Sequence, residues 1–265
     1  MKGISVLVAS YNCGAYIYEA INSLIQQSYK GDIEIIVCDD CSTDNSLAIL
    51  RDYESKGHIK LITKEKNGGA ADSRNRCLQA ATKEYVAIQD ADDYSSLDRF
   101  EKQAHILDTR PDIDYVSTGL QRFYETGEKV DVIKNIASPT KKDFLWALPF
   151  LHATTMFRKE ALLDVDGYRI AWETKRGQDY DLFLRLYAKG HQGINIPDIT
   201  YFYRCFTGQS PKNSYKYRIG EAILRYKGFR QLHLGIKSIP YILKPLILGL
   251  LPYKLVDRLS NKYQK

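Results

Sequence analysis

Apolar residues along this chain form short, nearly continuous runs separated by segments of helical spacing. Ile4–Ala9 reads as a strand buried on both faces, and helical spacing follows from Ala15 to about Gln27. Ile33–Cys38 is a second buried strand, and Asp44 then caps a helix through Tyr53. Ile59–Ile62 is a short strand. Asn67-Gly68-Gly69 turns the chain into a helix over Ala70–Ala81, followed by a strand at Tyr85–Ile88. A helix at Leu97–Asp108 and a strand at Tyr115–Leu120 complete the series. Strands alternating with helices predict an α/β protein with a parallel, doubly wound sheet and right-handed crossovers. Ligands of such sheets sit beyond the carboxyl ends of the strands, here just after Ala9, Cys38, Ile62 and Ile88.

Composition changes this picture little. The 265 residues are 44% apolar and 26% charged, which excludes a disordered, collagenous or disulfide-dense chain. Five cysteines give an odd count without a disulfide framework, and the pair Cys38/Cys41 has no second pair to complete a zinc site. Reduced thiols in the cytosol are the expectation, and the N-terminus runs into a strand rather than a signal peptide.

Charge is more informative. Residues 211–265 hold 12 basic side chains against two acidic ones, Glu221 and Asp257, so they carry +10 and the other 210 residues carry −4. The same tail contains Tyr241–Leu243 and Pro245–Tyr253, apolar runs far shorter than the ~20 residues that span a bilayer. A helix opened by Pro252 would place Leu255, Val256, Leu259 and Tyr263 on one face and Lys254, Arg258 and Lys262 on another. This pattern predicts attachment to an anionic membrane surface rather than to nucleic acid. A helix packed on the body is the structural alternative.

Acidic and aromatic residues occupy the predicted strand ends. Ser10-Tyr11-Asn12 follows the first, Asp39-Asp40 the second and Asp90-Ala91-Asp92-Asp93 the fourth. No G-x-G-x-x-G follows the first strand and no P-loop motif occurs, which counts against dinucleotide-binding and P-loop enzymes. Three carboxylates in four residues repel one another, and a hard divalent cation such as Mg2+ or Mn2+ offsets that repulsion. Helix capping is the plainer role of such a D-x-D.

Five segments lie in a telling order: Val6–Asn12 (VLVASYN), Val37–Ser46 (VCDDCSTDNS), Gly68–Asn75 (GGAADSRN), Ile88–Asp93 (IQDADD) and Gly177–Leu186 (GQDYDLFLRL). Together they resemble family 2 glycosyltransferases of the GT-A fold, over about residues 4–205; His152–Lys159 (HATTMFRK) is similar to their acceptor half. The resemblance implies a Rossmann-like, mostly parallel sheet flanked by helices. It divides the chain into a GT-A domain at 1–210 and a basic, helical, amphipathic extension at 211–265. Residues 1–120 would be the nucleotide-sugar half and 121–210 the acceptor half.

It also implies roles. Ala9, Tyr11 and Asn12 would contact the nucleotide, Tyr11 by stacking on the base. Asp40 would accept the N3–H of uracil. Arg74 would lie by the diphosphate and Asp90 by the ribose, Ala91 would also contact the donor, and Asp92 would bind the metal. Asp179 takes the place of the catalytic base, with Gln178 where the family usually has Glu. Asp39 and Asp44 are expected as turn and cap residues, and Asp181 as a first-turn carboxylate. Phe206 stands where many relatives have a histidine, so a third protein ligand to the ion is missing or comes from elsewhere. His152, Thr154 and Trp172 are expected on the acceptor side, and the loop Ala171–Gly177 could close over the donor.

The expected reaction is inverting transfer from a UDP-sugar to a hydroxyl of a saccharide or lipid-linked acceptor, at the inner face of the cell membrane, in surface polysaccharide or glycan synthesis. The alternatives are a nucleotidyltransferase on a similar sheet and a non-catalytic, membrane-associated module.

Overall fold

The computed structural model describes residues 1–206 and 214–251. Strands β1 (Ile4–Ser10), β2 (Ile33–Asp39), β3 (Lys60–Thr63) and β4 (Tyr85–Asp90) alternate with helices α1 (Ile17–Ile25), α2 (Ser46–Ser55) and α3 (Ala70–Ala80). These strands are parallel in the spatial order β3-β2-β1-β4. Alternation along β1 explains why both faces are apolar. Ile4, Val6 and Val8 join the core beneath α1 and α2, while Leu7 joins the core beneath α3.

Beyond β4 the chain departs from the simple doubly wound pattern. A two-residue strand β5 (Tyr94–Ser95) and helix α4 (Arg99–Thr109) lead into β6 (Tyr115–Tyr124), which forms a hairpin with β7 (Lys129–Ile133). The fifth predicted strand therefore exists but does not lie beside β4. The three-residue β8 (Met156–Arg158) inserts between them, antiparallel to both. Met156 and Phe157 are fully buried, so three residues suffice to join the two halves of the sheet. The 13-residue strand β9 (Gly193–Cys205) then runs parallel to β6 and antiparallel to β5. The sheet is mostly parallel, and its antiparallel members connect the two halves.

Helix α5 (Lys159–Asp164) follows β8, and α6 (Gln178–Lys189) precedes β9. Helix α7 (Tyr215–Gln231) buries Leu224 and Phe229 in the same core as Phe183, Leu184 and Leu186 of α6. Helix α8 (Ile239–Leu250) lies on α7 with Tyr241 and Ile242 against that core. Among the described residues no helix is long and apolar enough to cross a membrane. The helix expected after Pro252 lies outside the described residues. The cysteines are free thiols.

Candidate active site

The loops after β1, β2 and β4 converge at one edge of the sheet. Asn12 adopts a left-handed φ of 53°, and its side-chain oxygen accepts the Thr43 amide at 2.8 Å. Its own amide donates to Ser42 Oγ at 3.0 Å. Tyr11, next to it, is 48% exposed at the mouth of this cleft. Asp39 accepts the Ser42 amide and hydroxyl, as expected of a turn residue. Asp44 accepts the amide of Ser46 at 3.0 Å and also that of Gly14 at 2.9 Å, so it links the β1 and β2 loops as well as opening α2.

Asp40 is 3% exposed. Its two oxygens accept the Gly68 and Gly69 amides at 2.8 and 2.7 Å, and Lys64 Nζ lies 2.5 Å from Oδ1. Gly69 is at φ 87°, a backbone region that glycine enters without steric cost. Asp40 thus anchors the turn that opens α3; Oδ1 is shared by Gly68 and Lys64, and Oδ2 retains a lone pair. The sequence reading missed Lys64, which also pairs with Asp72 at 2.5 Å. Its only sequence signal is a basic residue one position past a short strand.

Helix α3 carries Arg74 and Asn75, which both reach Tyr168. Arg74 is 7% exposed and donates to Asp90 Oδ1 at 2.6 Å. Its Nε is buried and has no hydrogen-bond partner among the described residues. A buried guanidinium nitrogen left open is costly unless a ligand supplies an acceptor, and phosphate oxygens suit it. Asp90 ends β4, and Ala91 directly after it is buried.

Asp92 and Asp93 are strained electrostatically. Burial and the neighbouring Asp90 charge push the Asp92 carboxyl up to about 6. Asp93 is raised further, to about 9, by burial and by both neighbours. Arg204 holds this loop: its amide donates to Asp93 at 2.7 Å and its Nε to the Asp92 carbonyl at 2.9 Å. The guanidinium lies between Tyr16 and Phe123, 4.7 and 4.6 Å from their ring centres, and pairs with Glu19. Phe206 packs on Tyr16 at 5.4 Å. Among the described residues no three His, Cys, Asp or Glu side chains are placed to hold a metal together. The hard carboxylate oxygens of Asp92 still fit Mg2+ or Mn2+, and such an ion offsets the Asp90 repulsion that adds to the effect of burial.

Asp179 is the second residue of α6, and burial raises its pKa. It accepts the Tyr180 amide at 2.8 Å and senses the charges of Arg74 and Asp90. Asp181 faces elsewhere. It is 6% exposed and clamps Arg169 and Arg185, each at 2.7 Å.

His152 Nε2 lies 2.7 Å from the Tyr168 hydroxyl, and burial, reinforced by Arg74, pushes its pKa down to about 3. It is neutral at physiological pH. Tyr168 lies beneath Arg74, whose guanidinium is 5.8 Å from its ring centre. The sequence reading missed this tyrosine; the turn before it, with Gly167 at φ 62°, was its available signal. Thr154 is fully buried, and its hydroxyl accepts the Thr118 amide and lies within donating distance of the Thr118 and Leu151 carbonyls. Those bonds tie β6 to the segment before β8. Trp172 is 49% exposed on the rim, with Lys216 Nζ 5.8 Å above its ring. The structure thus brings Arg74, Asp90, His152 and Asp179 together around Tyr168, leaves Trp172 at the edge and places Thr154 in the sheet.

A mostly parallel sheet with paired aspartates at its carboxyl edge and a buried carboxylate facing them is the GT-A architecture. The glycosyl transferase family 2 model matches residues 5–166, and the chain belongs to that family. It is 36% identical over 262 residues to a putative glycosyltransferase, EpsE, of Bacillus subtilis, covering 98% of this chain and 93% of that one. It is 29% identical to the Escherichia coli UDP-Glc:alpha-D-GlcNAc-diphosphoundecaprenol beta-1,3-glucosyltransferase WfaP, covering 96% and 98%. The crystal structure of Staphylococcus aureus TarS 1–349 in complex with UDP-GlcNAc shares the fold, with a TM-score of 0.69 and 22% identity over 98% of this chain and 84% of that one. The chain is a glycosyltransferase; the nucleotidyltransferase and non-catalytic alternatives are not favoured.

Proposed function

We propose that this enzyme transfers a sugar, with inversion, from a UDP-sugar to a hydroxyl of a saccharide or lipid-linked acceptor in cell-surface glycan synthesis. One observation carries the reading: a buried carboxylate of raised pKa, Asp179, lies in the same electrostatic cluster as the Arg74–Asp90 pair at the end of β4. The relatives support the donor and acceptor classes, since WfaP is named for UDP-Glc and a diphosphoundecaprenol-linked saccharide.

Asp179 takes the proton of the acceptor hydroxyl as its oxygen bonds to the anomeric carbon. The bond from that carbon to the diphosphate oxygen breaks on the opposite face, and UDP leaves. Arg74 meets the negative charge that grows on the diphosphate, and its open Nε is the group suited to that contact. Tyr11 stacks on the base, Asp40 receives the uracil N3–H through a remaining lone pair, Asp90 lies by the ribose, and Ala91 also contacts the donor. Asp92 would hold a Mg2+ or Mn2+, which when bound supplies further positive charge to the diphosphate. Neutral His152 orients Tyr168 beneath Arg74.

The enzyme would work at the inner face of the cell membrane. On α8 the side chains of Ile239, Leu243, Ile247 and Leu250 are 47%, 44%, 58% and 74% exposed, a single apolar stripe at helical spacing. The +10 charge of residues 211–265 makes an anionic lipid surface its partner. Incubating the protein with a panel of UDP-sugars and following release of UDP tests the donor class. Release of pyrophosphate, or of nothing from any UDP-sugar, would reject the reading.

A further inference from the structure

We propose that the rim beside Asp179 is an anion-binding subsite that takes a phosphate or diphosphate group of the acceptor. It is built by Trp172, Lys216, Tyr217 and Arg218, with the exposed Lys175 on the same segment as Trp172. The proposal rests on Asp179 being the base, because it is the position of this rim next to that carboxylate that makes it an acceptor site.

Gly177 caps α6 two residues before Asp179. The segment leading to it crosses the first turns of α7, and a cavity of about 190 Å3 opens between them. Glu173, Arg176, Gly177, Tyr217, Arg218 and Glu221 line it. Its two carboxylates are already neutralised. Glu173 pairs with Arg169 at 2.8 Å and Lys227 at 2.9 Å, and these cations, Lys227 foremost, pull its pKa down to about 2. Glu221 pairs with Arg225 at 3.1 Å.

The cations at the rim are not matched in the same way. Among the described residues neither Lys175 nor Lys216 has an ion pair. Lys216 is held over the Trp172 ring at 5.8 Å. An aromatic face positions a cation without cancelling its charge. Arg218 reaches Glu221 only at 3.5 Å, and its buried Nε has no hydrogen-bond partner among the described residues. That nitrogen is open to an acceptor, and phosphate oxygens match a guanidinium edge. A neutral saccharide would leave this positive excess unused, whereas a phosphorylated acceptor would meet it while presenting a hydroxyl to Asp179.

The test is a fluorescence titration of the full chain saturated with UDP, so that the donor diphosphate site is filled. The probes are geranyl diphosphate for a lipid-linked source and glycerol 1-phosphate for a polyol phosphate, with geraniol and glycerol as neutral controls. One of the two anions should quench Trp172, identified by its loss in Trp172→Phe, and binding should weaken as salt rises. Lys175→Gln with Lys216→Gln should weaken that binding about tenfold, as expected for lost charged contacts, while UDP affinity by calorimetry stays the same. The anion that binds identifies the source. Binding no tighter than that of the neutral controls, or unchanged in the double variant, would overturn the subsite. Failure of UDP itself to bind would instead reject the donor site, so the two failures are distinct.

Discussion

Asn75 holds the backbone of Tyr168 at both ends. Its Nδ2 donates to the Tyr168 carbonyl at 2.7 Å, and its Oδ1 accepts the Tyr168 amide at 2.8 Å. The two residues are 93 positions apart in sequence. One turn of α3 therefore does two things: Arg74 reaches Asp90, while Asn75 fixes the tyrosine that lies beneath Arg74 and bonds to His152. Helix α3 and the segment between α5 and α6 meet at this pair.

Asp179→Asn should retain the fold and UDP binding while turnover falls about 10²–10⁴-fold, the span of a positioned general base. A base works only when deprotonated, and burial raises its pKa. Activity should therefore fall as pH drops through a value above the usual carboxylate range. Steady-state rates across pH check both points. Asp181→Asn should instead lower the melting temperature, because Arg169 and Arg185 lose their shared partner.

Asp40→Ala should weaken UDP binding about tenfold or more, since a buried acceptor is lost. It should also destabilise the protein, because the Gly68 and Gly69 amides and Lys64 lose their anchor. Calorimetry and thermal melts report the two effects separately. Unchanged UDP affinity would place the base-reading contact elsewhere.

Chelation by EDTA should abolish transfer, and Mn2+ or Mg2+ should restore it. Asp92→Ala should not be restored, and its Mn2+ affinity measured by electron paramagnetic resonance in the presence of UDP should fall. Full activity in EDTA would show that the acidic loop positions the donor without an ion.

Replacing Ile239, Leu243 and Ile247 by Ser should release the protein from anionic liposomes in a sedimentation assay. Their exposure predicts little loss of fold stability, and release of UDP from the donor should persist because none of them lies at the donor site. Binding of the unaltered protein should weaken with salt without vanishing, as the apolar contribution is unscreened. Cosedimentation of the triple variant at the original level would exclude the stripe as the contact.

The sequence by itself determined the alternating half of the molecule. Nearly continuous apolar runs at Ile4–Ala9, Ile33–Cys38 and Tyr85–Ile88 read as strands covered on both faces, and their polar ends marked Tyr11, Asp40, Asp90 and Asp92. These are local signals, carried by neighbours in the chain. The tertiary structure decided what depends on distant partners. A three-residue strand such as β8 has no period to detect, and it forms because Met156 and Phe157 fill a gap between β4 and β6. Asp179 and Asp181 share one helical turn and look alike in sequence. Only packing shows that Arg169 and Arg185 engage the second while the first lies buried in the field of Arg74 and Asp90. Tyr168 and Lys64 escaped notice for the same reason: each acquires its place from residues on other elements, through burial and charge that no short window of sequence contains.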